Sequence, residues 1–139
     1  MKVRALMSPN PQTIVPTETL AAARERMDRG GFRRLPVVDG DGRLIGMLTD
    51  RDVRQHAGHL SDTRVTGAMV EPAMTVGPDE AAEDVADRLL RERVGGYPVV
   101  YASGTLVGMI TETDLLRGLL RAWRRPGDSR ERYAEKTAG

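Results

Sequence analysis

The sequence predicts an α+β fold in which two copies of one β-α-β-β-α unit, related by a pseudo-twofold axis, pack through their sheets. The first observation is an ungapped internal repeat at a constant offset: Leu35-Pro36-Val37-Val38 returns as Tyr97-Pro98-Val99-Val100, and Gly42 to Asp52 returns as Gly104 to Asp114. The echo starts earlier, with Val3 and Met7 matching Val65 and Met69, and Thr13, Pro16 and Glu18 matching Thr75, Pro78 and Glu80. So long a period, present only twice, points away from a solenoid and toward two units face to face, with related clefts between them. The second observation is bulk. At 139 residues and 40% hydrophobic content the chain can bury one core, whereas either half alone would be marginal.

Within the first copy, Thr13-Ile14-Val15 is a short strand, followed by a turn and an acidic helix start at Pro16 to Thr19. Leu20, Ala23 and Met27 share one face of the helix that follows, and Gly30-Gly31 stops it. Leu35 to Asp39 reads as a strand, with proline near its start where a missing donor is tolerated. Asp39-Gly40-Asp41-Gly42 makes the hairpin turn, Arg43 to Leu48 the partner strand, and Thr49 opens a helix through about Gln55. The second copy repeats each step: Met74 to Val76, a helix from about Glu80 to Glu92, Gly95-Gly96, Tyr97 to Tyr101, a turn at Ala102 to Gly104, Thr105 to Ile110, and a helix from Thr111 to about Trp123. Residues 1–60 and 61–123 are thus the two repeats. Residues 124–139, which alternate in charge and hold almost nothing apolar, form an expected mobile tail.

Composition closes several routes. Without cysteine there is no disulfide frame, thiolate zinc site or cysteine nucleophile. No apolar run approaches the ~20 residues of a membrane span, and the N-terminus lacks a signal-peptide core. A soluble, cytoplasmic protein is expected. The 21 basic and 20 acidic residues nearly cancel, so no broad positive field invites nucleic acid. His56 and His59 lack acidic or thiol partners at ligand spacing, which argues against a metal site. No Ser-His-Asp or Cys-His arrangement fits the layout, and the glycine clusters lack the Gly-Lys-Ser/Thr of a phosphate loop. No catalytic residues are assigned.

The chemistry-bearing element is Gly-hydrophobic-hydrophobic-Thr-x-x-Asp, at Gly46 to Asp52 and again at Gly108 to Asp114. A carboxylate can accept hydrogen bonds from both vicinal hydroxyls of a ribose, and a hydroxyl beside free backbone N–H groups can hold a phosphate or sugar oxygen. Threonine followed three residues later by aspartate also approximates a capping box, worth about 1 kcal/mol to its helix. Both roles can coexist. Together with the hydrophobic-Pro-Val-Val strand and the duplicated element order, over about residues 3–121, this pattern resembles paired cystathionine β-synthase (CBS) domains, the tandem called a Bateman module.

That resemblance implies a non-enzymatic sensor that binds AMP, ADP, ATP, adenosylmethionine or a dinucleotide such as NAD(H), requires no cofactor, and regulates a partner protein whose identity the sequence does not give. It is similar to the stand-alone members. In the family, the Thr-x-x-Asp of one repeat holds ribose while basic residues of the other reach the phosphates. Carried over by position, Met109, Thr111 and Asp114 pair with Arg33, Arg34 and Arg51 and with backbone near Thr13 and Ile14. The counterparts of those arginines are Gly95, Gly96 and Thr113. The second cleft, with Met47, Thr49, Asp52, Met74, Thr75, Val76, Gly95, Gly96 and Tyr97, lacks the cations and is expected to be empty or to take a less anionic adenosyl ligand. Tyr97 is a candidate for stacking on a purine, or else a core residue. The last helix carries Leu115, Leu116, Leu119, Leu120 and Trp123 as a wide apolar stripe, which suggests a homodimer interface ahead of a membrane surface. The alternative is a structural dimerisation or scaffold protein with degenerate clefts, in which Thr49 and Thr111 serve only as caps.

Overall fold

A computed structural model describes residues 1–71 and 74–124, so the predicted tail from Arg125 onward lies outside the described residues. The elements in order are α1 (Val3–Leu6), β1 (Ser8–Pro9), α2 (Leu20–Gly30), β2 (Arg34–Val38), β3 (Leu44–Thr49), α3 (Asp50–Arg54), a 3₁₀ turn (Val65–Gly67), α4 (Ala82–Glu92), β4 (Gly96–Val100), β5 (Leu106–Thr111) and α5 (Glu112–Trp123). The fold is mixed α+β, with antiparallel hairpins β2–β3 and β4–β5 in the same register and the same irregularity before the last pair.

The predicted strands at Thr13–Val15 and Met74–Val76 shrink to single bridging residues. Ile14 lies parallel to Val37, and Val76 lies parallel to Val99. Each donates to a proline carbonyl, Ile14 N–H to Pro36 at 3.1 Å and Val76 N–H to Pro98 at 3.1 Å, and each accepts one bond in return. Pro16, and Gly77-Pro78 in the second copy, then turn the chain away. The α2 helix ends as predicted, with Gly31 at φ +69°. Its counterpart α4 ends at Glu92, as predicted, with Arg93 at φ +56° as its cap in place of a glycine. Gly95 and Gly96 are committed to a close approach described below.

Each repeat is completed by the leading segment of the other. Val3 and Leu6 of α1 are buried in the core built from α4, β4 and β5, together with Val76, Val85, Leu89, Tyr97, Val99 and Ile110. Val65 is buried in the core of Ile14, Leu20, Ala23, Met27, Leu35, Val37, Leu48 and Val53. The backbone records this exchange symmetrically: Val3 N–H donates to Glu80 at 3.0 Å and Val65 N–H to Glu18 at 2.8 Å, with donors and acceptors at matching positions of the two repeats. β1 adds to β5 antiparallel, Ser8 opposite Met109, and Val70 bridges Met47 in the same sense.

This exchange explains the glycine of the repeated motif. A Cβ on Gly108 would lie 2.7 Å from Met7 Sδ and 2.9 Å from the Ser8 carbonyl oxygen. On Gly46 it would lie 2.9 Å from both Met69 Sδ and the Val70 carbonyl oxygen. The two halves are further stitched where the hairpins turn, by Leu44 N–H to the Gly104 carbonyl at 3.0 Å and Leu106 N–H to Gly42 at 3.2 Å.

Candidate functional site

Both Thr-x-x-Asp elements form complete capping boxes. The Asp114 Oδ2 atom accepts from Thr111 N–H at 2.9 Å and from Thr111 Oγ1 at 3.0 Å, while Asp114 N–H donates to Thr111 Oγ1 at 3.4 Å. Asp52 and Thr49 repeat these bonds at 2.9, 2.9 and 3.3 Å. Capping therefore occupies one oxygen of each carboxylate and leaves the other. The Asp114 Oδ1 atom meets only Ser8 Oγ, at the long distance of 3.5 Å, among the described residues. Asp52 Oδ1 has no partner among the described residues, and since no buried side-chain oxygen or nitrogen there goes unpaired, it faces open space. At 6% exposure Asp114 is the single buried charged side chain of the described residues, whereas Asp52 is half-buried.

The elements around Asp114 come from both repeats. Ser8 arrives on β1, which pairs with β5 beside Met109. From Pro9 the chain runs to Ile14 on the sheet of the first repeat, so residues 10–13 bridge from one repeat to the other. Gly96 is the register partner of Thr111, and the Gly95 carbonyl accepts the N–H of Glu112, the first residue of α5. Over Gly95 lies the guanidinium of Arg34: a Cβ at Gly95 would come within 2.0 Å of its Nη2. Arg34 itself is the register partner of Thr49. It thus starts beside one threonine and reaches, across the repeat boundary, to the neighbour of the other.

Arg33 and Arg51 behave differently. Both stand at the start of α3, where the Arg33 carbonyl accepts Asp50 N–H at 2.9 Å. Arg51 sits between Thr49 and Asp52 in the chain, Arg33 reaches them only through that backbone bond, and both side chains are exposed.

Three sequence candidates change role. The Tyr97 ring is 1% exposed and packed in the second core, so no face is left for a purine. Its hydroxyl donates to Glu92 Oε2 at 2.5 Å, and burial with that carboxylate nearby pushes its pKa up to about 12. Ile14 and Val76 are 1% and 2% exposed, and sheet bonds consume both the N–H and the carbonyl of each. They position their neighbours and offer a ligand no polar group. Thr13 and Thr75 stand at the cleft edges, Met47 is half-buried, and Met109 is nearly covered at 9%.

One duplicated feature escaped the sequence reading. Arg26 Nη1 donates to the Thr13 carbonyl at 2.9 Å and Arg88 Nη1 to the Thr75 carbonyl at 3.3 Å, with Glu18 and Glu80 alongside at 3.9 and 3.4 Å. The signal was available, because Arg26 and Arg88 occupy equivalent positions of the two repeats. Ser8 carried no such signal, since its counterpart is Val70. A cavity of about 830 Å³ lies elsewhere: it shares Thr75 and Val76 with the second cleft but includes neither Thr-x-x-Asp element.

Two swapped repeats, each presenting a capped helix start with a spare carboxylate oxygen at the seam between them, define a paired-repeat module. The chain belongs to the CBS domain family, whose model matches residues 3–59 and 64–121. It is 33% identical over 132 residues to a CBS domain-containing protein of Dictyostelium discoideum, covering 86% of this chain and 91% of that one. It is 37% identical over 105 residues to inosine-5'-monophosphate dehydrogenase of Escherichia coli, covering 76% of this chain but only 22% of the enzyme. The match with the dehydrogenase is thus confined to about a fifth of that protein's length. Among solved structures, CBSX2 in complex with AMP superposes with a TM-score of 0.80 at 27% identity, covering 88% of this chain and 98% of that one. Among the described residues no helix is long and apolar enough to cross a membrane.

Proposed function

We propose that the chain is a non-enzymatic regulatory module that binds an adenosyl ligand, an adenine nucleotide such as AMP, at Asp114 and Thr111, and that acts as a homodimer on a protein partner. The observation that carries this reading is the geometry at Asp114. Its carboxylate is buried and half-committed to the cap, and its remaining oxygen is aimed at Ser8. The Arg34 guanidinium approaches the same helix start from the other repeat. A carboxylate oxygen suits a ribose hydroxyl, and a guanidinium suits a phosphate, through charge-assisted hydrogen bonds. The AMP complex of CBSX2, at 27% identity, supports the choice of ligand class.

In this reading Met109 and Thr13 border the ligand and Arg34 takes the phosphate, with Arg33 and Arg51 adding positive charge. The second cleft, at Thr49, Asp52, Met47 and Thr75, binds more weakly or stays empty. Calorimetric titration with AMP, ATP, adenosylmethionine and NADH is the test. The expected result is binding of at least one of them that Asp114→Ala abolishes and Arg34→Ala weakens about tenfold, the loss of roughly one charged hydrogen bond. The complete caps at Thr49 and Thr111 favour a second reading, a structural dimerisation protein with degenerate clefts. Absence of heat with all four compounds would select it.

A further inference from the structure

Resting on the reading above, in which AMP lies at Asp114, we infer that Arg26 is a positioning residue of that site. Its guanidinium clasps the segment 10–13, which crosses between the repeats, and sets ligand affinity through that segment. One end of the segment follows Ser8, whose Oγ lies 3.5 Å from Asp114 Oδ1, and Pro9, which pairs with Gly108. The other end is Ile14, whose N–H donates to the Pro36 carbonyl of β2, the strand that carries Arg34. The segment thus joins the carboxylate to the strand of the guanidinium.

Little else fixes it. Pro9 and Pro11 have no N–H to give, and Asn10 between them is in the left-handed region at φ +50°. Among the described residues, residues 11–13 form a single hydrogen bond, from Arg26 Nη1 to the Thr13 carbonyl at 2.9 Å. Without it, no hydrogen bond holds the chain between Asn10 and Ile14.

The matching arginine of the second repeat is built in differently. Arg88 Nη1 reaches the Thr75 carbonyl at 3.3 Å, but its Nη2 also donates to Glu80 Oε1 at 3.4 Å, and the other oxygen of Glu80 accepts Gly77 N–H at 2.5 Å. Its guanidinium carbon lies 5.7 Å from the centre of the Tyr97 ring, within cation–π range. Arg26 has none of this support. Glu18 is 3.9 Å away, too far for a hydrogen bond, Val15 replaces Gly77 and gives the Glu18 carboxylate no bond among the described residues, and Leu35 replaces Tyr97. Arg88 belongs to the wall of its own repeat, whereas the hydrogen bond of Arg26 goes to the crossing segment alone. That shorter bond serves the cleft that also has Arg34.

A ligand that meets a loose segment must order it on binding, and a segment ordered beforehand spares the ligand that cost. The stability of α2 does not hang on the same bond, because Thr19 caps the helix and Leu20, Ala23 and Met27 bury its inner face. Affinity and stability therefore respond separately.

The test compares Arg26→Met with Arg88→Met in the full chain, each keeping an unbranched apolar side chain without the guanidinium, with AMP as the probe. In calorimetry Arg26→Met should raise the AMP dissociation constant about tenfold, Arg88→Met less than about twofold, and Arg26→Lys, which keeps a donor, should recover most of the loss. Urea unfolding should rank the two methionine variants the other way, with Arg88→Met the less stable. Backbone order parameters at Gln12 and Thr13 should fall in ligand-free Arg26→Met and return when AMP saturates it. Wild type that does not bind AMP overturns the inference together with the AMP assignment. Unchanged affinity in Arg26→Met, an equal loss in Arg88→Met, or an Arg26→Met chain that fails to fold overturns the positioning role alone and leaves the ligand reading standing.

Discussion

At Asp114 one carboxylate does two jobs that the sequence pattern could not separate, because capping and ribose recognition ask for the same residue types at the same spacing. The structure separates them by oxygen: Oδ2 serves the helix and Oδ1 is left over. Gly95 gives a cleaner handle on the ligand role, since it lies outside the cap. A methyl there would strike only the tip of the flexible Arg34 side chain, 2.0 Å away. We therefore expect Gly95→Ala to change unfolding free energy by no more than about 0.5 kcal/mol, as for other substitutions that meet no packed core. The same variant should weaken AMP binding as much as Arg34→Ala does, and the double variant should be no worse than either single one. Additive losses in calorimetry would separate Gly95 from Arg34. Tyr97 supplies a second residue-scale prediction. Its folded-state pKa of about 12 exceeds the ordinary value of 10.0, so the unfolded chain ionises first as pH rises. The stability from the buried phenol is complete below pH 10 and is lost between there and about 12. In urea titrations at pH 9 and pH 11.5, wild type should lose more stability than Tyr97→Phe, and equal losses would contradict the assignment.

At the scale of elements, the hairpins, the three long helices and the Thr-x-x-Asp caps of α3 and α5 were legible because each rests on local chemistry: Pro-Val-Val strands, glycine turns and Thr-x-x-Asp starts. The exchange of leading segments was not, since nothing in Val3-Arg4-Ala5-Leu6 says which repeat it joins. Repeat arithmetic assigns it to its own copy, and the structure packs it on the other. The cause is the tether, because residues 10–13 run across the seam between the β1 pairing with β5 and the bridge of Ile14 to Val37. The same crossing explains why Ser8 went unread while Thr13 was found. A substitution should therefore act at a distance in sequence. Val3→Ala removes about two methylenes' worth of burial, roughly 2 kcal/mol, from the second core. Hydrogen exchange should speed up in α4, β4 and β5 and change less in β2 and β3. Val65→Ala, at the equivalent position of the second copy, should do the reverse, loosening α2, β2 and β3. Loosening confined to the variant's own sequence half would be incompatible with the exchanged arrangement.

The molecule as a whole is symmetric in backbone and asymmetric in chemistry. Its two capping boxes match bond for bond, yet Arg33, Arg34 and Arg51 have Gly95, Gly96 and Thr113 as counterparts. A side chain at position 96 would place its Cβ 2.8 Å from the Ile110 carbonyl oxygen and 3.1 Å from Thr111 Cγ2, so the strand leaves no room there for an arginine. The divergence therefore reaches into packing as well as charge. Two sites with one set of cations should not bind an anionic nucleotide equally. We expect AMP to titrate with one strong site per chain, with Asp52→Ala leaving that stoichiometry unchanged and Asp114→Ala removing it. At a hundred times its dissociation constant, AMP bound to the folded state alone adds about 2.7 kcal/mol of stability, enough to raise Tm by several degrees in a domain of this size. That rise should persist in Asp52→Ala and vanish in Asp114→Ala. Uncharged adenosine, which has the ribose but nothing for Arg34 to hold, should give a smaller rise in wild type and an unchanged one in Arg34→Ala. Two equivalent AMP sites, or an adenosine response that depends on Arg34, would show that the cations do not distinguish the clefts.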